Sequence, residues 1–218
     1  FVKSGPQGER YRHLAHQIQE SLNFMDALGI NSNNTPQLRQ VHYYTSHEAL
    51  LLPYEEALTR IDSTSGGVYN TSAHFVWIGD RTRFTDSAHV EFCRGIKNPI
   101  GIKCGPSLDP NELIELLDIL NPSDEAGRIT LITRFGHDKV ETYLPRLIQK
   151  IQTENRTVVW SCDPMHGNTI KSRNGIKTRP FDQIIDELKQ NIHIHKSEGS
   201  RIGGIHLEMT GQNVTECT

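Results

Sequence analysis

The stretch Thr157-Val158-Val159-Trp160-Ser161-Cys162-Asp163-Pro164-Met165-His166-Gly167-Asn168 constrains the fold more than any other. Thr157 to Trp160 are β-branched or aromatic, as a strand buried on both faces requires. Asp-Pro then cuts the run, and a His and a Gly follow, residues that leave a ladder and permit unusual backbone angles. Parallel α/β folds keep their chemistry at the carboxyl ends of such strands. Gly203-Gly204-Ile205-His206-Leu207-Glu208-Met209-Thr210-Gly211 repeats the plan with Glu208. His166 and Glu208 are therefore candidate metal ligands converging from two strand ends, and imidazole plus carboxylate suits manganese, iron, cobalt or zinc.

The remaining chain alternates between the same two kinds of element. Strands are expected at residues 40–44, 73–78, 99–104, 129–133 and 202–209. Helices are expected at 8–28, 49–61, 88–96, 140–153 and 181–195, with a further one from the Asp109-Pro110 cap to Leu120. Residues 63–71 and 169–179 read as loops, the second carrying Lys171, Arg173, Lys177 and Arg179. Strand-then-helix repeats imply a parallel sheet with helices outside. The chain has neither a dinucleotide glycine fingerprint nor a Walker loop. Instead, polar residues follow successive strands: His47, Asp80-Arg81, Lys103, Arg134, His166 and Glu208. One mouth collecting one set of loops points to an α/β fold of the (β/α)8 TIM-barrel type, a single domain over residues 1–218. About six strands are legible where a closed barrel has eight, so the barrel is expected to be incomplete.

Composition narrows the partners. The 218 residues carry a net charge of −3, which supplies no broad basic field for nucleic acid or membrane surfaces. No apolar run approaches a membrane span. Cys93, Cys104, Cys162 and Cys217 form no CxxC pair, which argues for reduced thiols and a cytoplasmic setting.

Arg81, Lys103 and Arg134 each follow a strand, and three cations at one mouth make an anion site. Lys177 and Arg179, in the loop after His166, either clamp a second phosphate or belong to a plain solvated loop. Asp163 is placed to orient the ligand pair, and His206 shares the strand face of Glu208. Cys162 reads as core. No cysteine has an evident base partner, so nucleophilic catalysis is not expected. His193 and His195 are expected to be solvated on their helix.

Together these residues resemble the class II (plant-type) 3-deoxy-D-arabino-heptulosonate 7-phosphate (DAHP) synthases. The resemblance covers nearly the whole chain. It is carried by Ser46-His47-Glu48-Ala49-Leu50, Trp77-Ile78-Gly79-Asp80-Arg81-Thr82-Arg83, Asn98-Pro99-Ile100-Gly101-Ile102-Lys103, Arg128 to Arg134, Cys162 to Thr169, Lys177-Thr178-Arg179, and Gly203 to Cys217. It implies a transferase that condenses phosphoenolpyruvate with erythrose 4-phosphate at the entry to the shikimate route to aromatic amino acids. It further implies a divalent metal (manganese foremost), a homo-oligomer, and a plastid location if the source is a plant. Asp80, Arg81, Lys103 and Arg134 fall on phosphoenolpyruvate-binding places, with Lys103, Arg81 and His166 as catalytic residues. His166 and Glu208 fall on metal-ligand places, and Lys177 and Arg179 lie near the aldose phosphate.

The chain departs from the family pattern in three ways. Asp80 stands where the family commonly has Glu. The family's metal-ligating Cys near the first strand and Asp beyond the last have no counterpart here. A substrate-gripping Arg from the second strand is also missing. An internal segment of a longer chain is the resulting expectation, with weak metal binding and little activity alone. The competing readings are a related metal-dependent phosphoenolpyruvate–aldose lyase, and a truncated, inactive piece with a structural or interaction role.

Overall fold

The computed structural model describes residues 6–31, 33–38, 42–172, 174–212 and 217–218. Residues 40–41 of the first expected strand, Arg173, and residues 213–216 of the last motif lie outside the described residues. The chain divides into two compact units, Phe1–Tyr43 and Tyr44–Thr218. The first holds helix α1 (Pro6–Ala27) and a short 3-10 turn at Pro36–Leu38. Gly29, at φ +81°, closes α1 by donating its N–H to Asp26 O at 2.8 Å.

The second unit is α/β. Its elements run β1 (Ser46–Glu48), α2 (Leu52–Ala57), β2 (Thr59–Ile61), β3 (Val68–Asn70), β4 (Phe75–Ile78), α3 (Ala88–Gly95), β5 (Ile100–Cys104) and α4 (Pro110–Leu120). Then come β6 (Ile129–Thr133), α5 (Val140–Thr153), β7 (Val159–Cys162), β8 (Ile170–Lys171), β9 (Lys177–Thr178), α6 (Phe181–Ser197) and β10 (Gly204–Ile205). Six strands pair in the order β1-β4-β5-β6-β7-β10, every neighbour parallel.

The sheet is curled. Four inter-strand steps separate β4 from β10, about 19 Å if flat. Yet the Trp77 ring, on β4, meets the His206 ring, just past β10, edge-on at 4.8 Å between centroids. The six strands thus form a parallel half-barrel, in keeping with the expected incomplete barrel.

Strand alternation sorts the side chains. Ile78, Ile100, Ile102, Ile129, Leu131 and Trp160 point outward into the main core against α3 to α6. Each fully buried Ile or Leu there contributes about 1.5–3 kcal/mol. The alternate set, including Phe75, Trp77, Lys103 and Ile132, lines the concave face. A Cβ at Gly101 would meet Trp77 Cβ at 2.7 Å and Phe75 Cζ at 2.8 Å, so this strand glycine makes room for the aromatic pair.

The helices follow from local chemistry. Asp109 caps α4 by accepting from Asn111 N at 2.8 Å, with Pro110 in the first turn. Ser87 caps α3 through Val90 N at 3.2 Å. Val140, Leu144, Leu147 and Ile151 share the buried face of α5, as their spacing predicts.

Several sequence expectations need correction: the described part of the first expected strand, 42–44, is not a strand and β1 follows it, and the last expected strand, 202–209, shortens to Gly204–Ile205. The helix expected over 49–61 stops at Ala57, and β-branched Thr59 and Ile61 join an antiparallel hairpin with Val68 and Asn70. Asp62 ties off the hairpin turn by accepting from Ser65 N at 2.9 Å, and Gly66 takes φ +68°. Likewise β8 and β9 pair within the expected loop at 169–179. Finally, His195 is not solvated: only 2% of it is exposed, whereas His193 is exposed as expected.

His195 lies edge-on to Trp160 at 5.3 Å and shares a 3.0 Å hydrogen bond with Ser200 Oγ. Its Nε2 is buried without a hydrogen-bond partner among the described residues. Burial lowers its pKa from 6.5 to about 4. The unfolded chain therefore takes up this proton first, and the associated stability is lost as pH falls from 6.5 towards 4. Between pH 7 and pH 5 the loss is about 2 kcal/mol. Urea unfolding at both pH values should show His195→Gln losing that much less than the unsubstituted chain on acidification. Parallel losses in the two proteins would refute the assignment.

Candidate active site

A cavity of about 470 Å³ opens at the carboxyl ends of the strands. Asp80 and Arg81 reach it from the end of β4, Lys103 from β5, Arg134 from the end of β6, and His166 from the turn after β7. Lys177 and Arg179 enter from the β8–β9 hairpin, and Glu48, Trp77 and His206 complete the wall. A larger hollow of about 540 Å³ sits at the opposite strand ends, between Tyr44, Tyr69, His74 and Pro99; no Asp, Glu, Lys or Arg lines it. Charge, not size, marks the functional mouth.

One expected mouth residue is not there. His47 lies within β1 on the helix side, bonded to the buried Glu55 at 2.7 Å. Burial alone would raise Glu55, but hydrogen bonds from Asn70, Ser72 and His47 hold it below its ordinary value. Because β1 begins at Ser46, alternation puts Glu48 on the concave face in place of His47.

Asp163 organises the centre. It is fully buried, and its Oδ2 takes both the Lys103 ammonium and His166 Nδ1–H, the latter at 2.7 Å. Its Oδ1 accepts from Met165 N at 3.0 Å and His166 N at 3.2 Å, which folds the Pro164–His166 turn. Burial alone would raise Asp163, but the His166 hydrogen bond and the Lys103 charge hold it well below the carboxylate range. Burial lowers the Lys103 ammonium, with the Asp163 charge pulling the other way. Its Nζ stands 5.5 Å from the Trp77 ring centroid.

Since Asp163 is an ionised acceptor, His166 carries its proton on Nδ1 and turns the Nε2 lone pair outward. That lone pair faces Glu208 Oε2 at 3.6 Å. Both atoms are acceptors, and their spacing leaves room for a cation between them. Ligands about 2.1 Å from one ion at a tetrahedral angle stand about 3.4 Å apart, so the pair fits a shared metal. It makes half of a tetrahedral set: among the described residues, no group of three or more His, Cys, Asp or Glu could hold an ion. Arg179 Nη2 donates to the same Glu208 oxygen at 2.7 Å and its Nε to Met165 O at 3.1 Å.

Arg134 is fixed from two sides, donating to Asp80 Oδ2 at 2.9 Å and to His166 O at 3.1 Å. Asp80 is itself held by Gly105 N at 3.0 Å and by Arg83 Nε at 3.2 Å. Arg83 is 1% exposed and also binds Glu112 and Ser107. Asp80 therefore serves Arg134 directly. Arg81 and Lys177 are exposed at the rim. The buried Trp77 Nε1–H and Arg134 Nε–H have no hydrogen-bond partner among the described residues. Burial pushes the Cys93 and Cys104 thiols up to about 12, values unsuited to a nucleophile.

Sequence reading missed Glu48, Trp77, Arg83, Asn168 and Glu187 as contributors. Glu187 had one visible signal: it stands three residues after the inward Ile184, so a charge occupies the buried helix face.

Comparison with known proteins identifies the family of the chain. The Class-II DAHP synthetase family model matches residues 1–218. A phospho-2-dehydro-3-deoxyheptonate aldolase of Streptomyces coelicolor is 50% identical over 217 residues, covering 100% of this chain and 48% of the relative. A probable chloroplastic phospho-2-dehydro-3-deoxyheptonate aldolase of Catharanthus roseus is 51% identical, covering 93% of this chain and 41% of the relative. The Neurospora crassa protein of the first name is 51% identical, covering 95% of this chain and 46% of the relative. The chain thus spans about half the length of these curated relatives, and it belongs to the class-II DAHP synthetase family.

Proposed function

We propose that the complete protein carrying this sequence condenses phosphoenolpyruvate with erythrose 4-phosphate and water, yielding 3-deoxy-D-arabino-heptulosonate 7-phosphate and phosphate. The observation that carries the reading is the mouth itself: Lys103 and Arg134 held rigidly beside the His166–Glu208 pair, within the family's fold. Lys103, Arg134 and Arg81 bind the carboxylate and phosphate of the enol and fix which face it presents. The spare N–H groups of Trp77 and Arg134 are donors for the same anion. Asp80 orients Arg134, and Lys177 and Arg179 lie where the aldose phosphate would enter.

His166 and Glu208 would hold a divalent ion, manganese foremost. When bound, it supplies Lewis-acid polarisation of the aldehyde. Asp163 keeps the His166 lone pair aimed at that place. The described residues contain no helix long and apolar enough to cross a membrane.

The test is phosphate release from phosphoenolpyruvate by the complete protein with manganese and a panel of aldoses. Release that depends on erythrose 4-phosphate is the expected result. Equal rates with arabinose 5-phosphate would overturn the substrate assignment, and no release with any aldose would overturn the reaction.

A further inference from the structure

A carboxylate from the outer helix layer reaches both loops that carry the site. Glu187 of α6 is fully buried, and no ion pair involves it among the described residues. Its Oε1 accepts from Phe135 N and Gly136 N, each at 3.0 Å, immediately after Arg134. Its Oε2 accepts from Asn168 Nδ2 at 2.6 Å, two residues after His166. Asn168 continues the tie: its Oδ1 accepts from His137 N at 3.0 Å, and its Nδ2 also donates to Pro164 O at 2.8 Å.

We propose that Glu187 is a positioning residue, setting the separation of Arg134 and His166 by gripping both of their loops with one carboxylate. The inference rests on the reaction proposed above for its kinetic part only. Burying a carboxylate without a cation is unfavourable, and an apolar side chain would fill the same helix face at lower free energy. What an apolar side chain would not do is accept on two sides at once. The site requires this, because every hydrogen-bonding neighbour of Glu187 among the described residues is an N–H donor. An amide fails too: whichever way it is turned, its NH₂ confronts either Asn168 Nδ2 or the two backbone N–H groups. The grip acts on the chemistry because Arg134 and His166 sit beside the bonded atoms and are themselves joined by the 3.1 Å contact of Arg134 with His166 O.

The experiment compares Glu187→Gln, Asn168→Asp and the double variant in the complete protein. Amide hydrogen exchange reads the geometry without any turnover. Glu187→Gln should speed exchange by at least about tenfold in residues 135–137 and 166–169 together, with the centre of β5 unchanged. Kinetically it should raise KM for phosphoenolpyruvate and weaken manganese binding, each by about 10- to 100-fold. The double variant reverses donor and acceptor between the two side chains but leaves a carboxylate oxygen facing Pro164 O, so it should recover part of the losses of Asn168→Asp and not all of them. A filler role predicts no recovery. Unchanged exchange in both loops, or a double variant no better than Asn168→Asp alone, overturns the proposal. If the unsubstituted protein releases no phosphate, the reaction reading fails while the exchange result still decides the role of Glu187.

Discussion

Replacing Asp163 with Ala should cost about 3–5 kcal/mol of stability and free the His166 ring. The stability loss follows from charge burial: Lys103 is 6% exposed, and without Asp163 its ammonium loses its bonded counter-charge and keeps only the weaker influence of Glu48. Burial already lowers Lys103, so its charge would be the first thing lost, and with it a grip on an anionic substrate. The same substitution removes the Nδ1 acceptor and the two N–H bonds that shape the turn. Loss of such an orienting partner weakens metal binding by about 10- to 100-fold. Urea midpoints and a manganese titration measure the two effects separately. Asp163→Asn keeps the shape but opposes one amide donor to the Lys103 ammonium, so it too should be clearly destabilised. A stable, metal-competent Asp163→Ala protein would refute this account of the centre.

Gly167→Ala should be damaging through sterics alone. A Cβ there would stand 2.3 Å from Gly136 N, 2.9 Å from Gly136 Cα and 2.9 Å from Phe135 C, all backbone atoms that cannot rotate away. Gly136 has little freedom to yield, since it sits at φ +94° with both flanking amides committed to Glu187 or Asn168. The loops must part, at about 1–3 kcal/mol or more. A displacement near 1 Å between Arg134 and His166 should lower kcat/KM by about 100-fold. Gly95→Ala is the control: it lies at the end of α3 with nothing within 4 Å of the added methyl. Thermal midpoints and phosphate-release rates should move for the first substitution and not fall for the second.

These two substitutions also show what the sequence made legible. Lys103, Arg134 and His166 announced themselves because each is a polar residue at or shortly past the carboxyl end of a run of strand formers, and the sheet did bring them together. Glu208 converged on His166 as expected, because β7 and β10 are hydrogen-bonded neighbours. Errors came where one residue of register matters. A strand set a few positions early exchanged His47 for Glu48 at the mouth. The short hairpins escaped because strands of two or three residues carry no periodicity to read. Arg83 and Glu187 escaped for a different reason. Charged residues are read as solvated by default, and only the folded chain shows that each lies inside, held by partners distant in sequence.

The contact between Trp77 and His206 gives the protein an optical gauge of its own curvature. The sequence has two tryptophans, and the other, Trp160, lies against His195 on the helix side. Each indole thus reports on a different layer through a neighbouring imidazole. With Trp160 replaced by Phe, the indole emission of these 218 residues would come from the concave wall, and any opening of the strands or filling of the mouth would register as a change at Trp77.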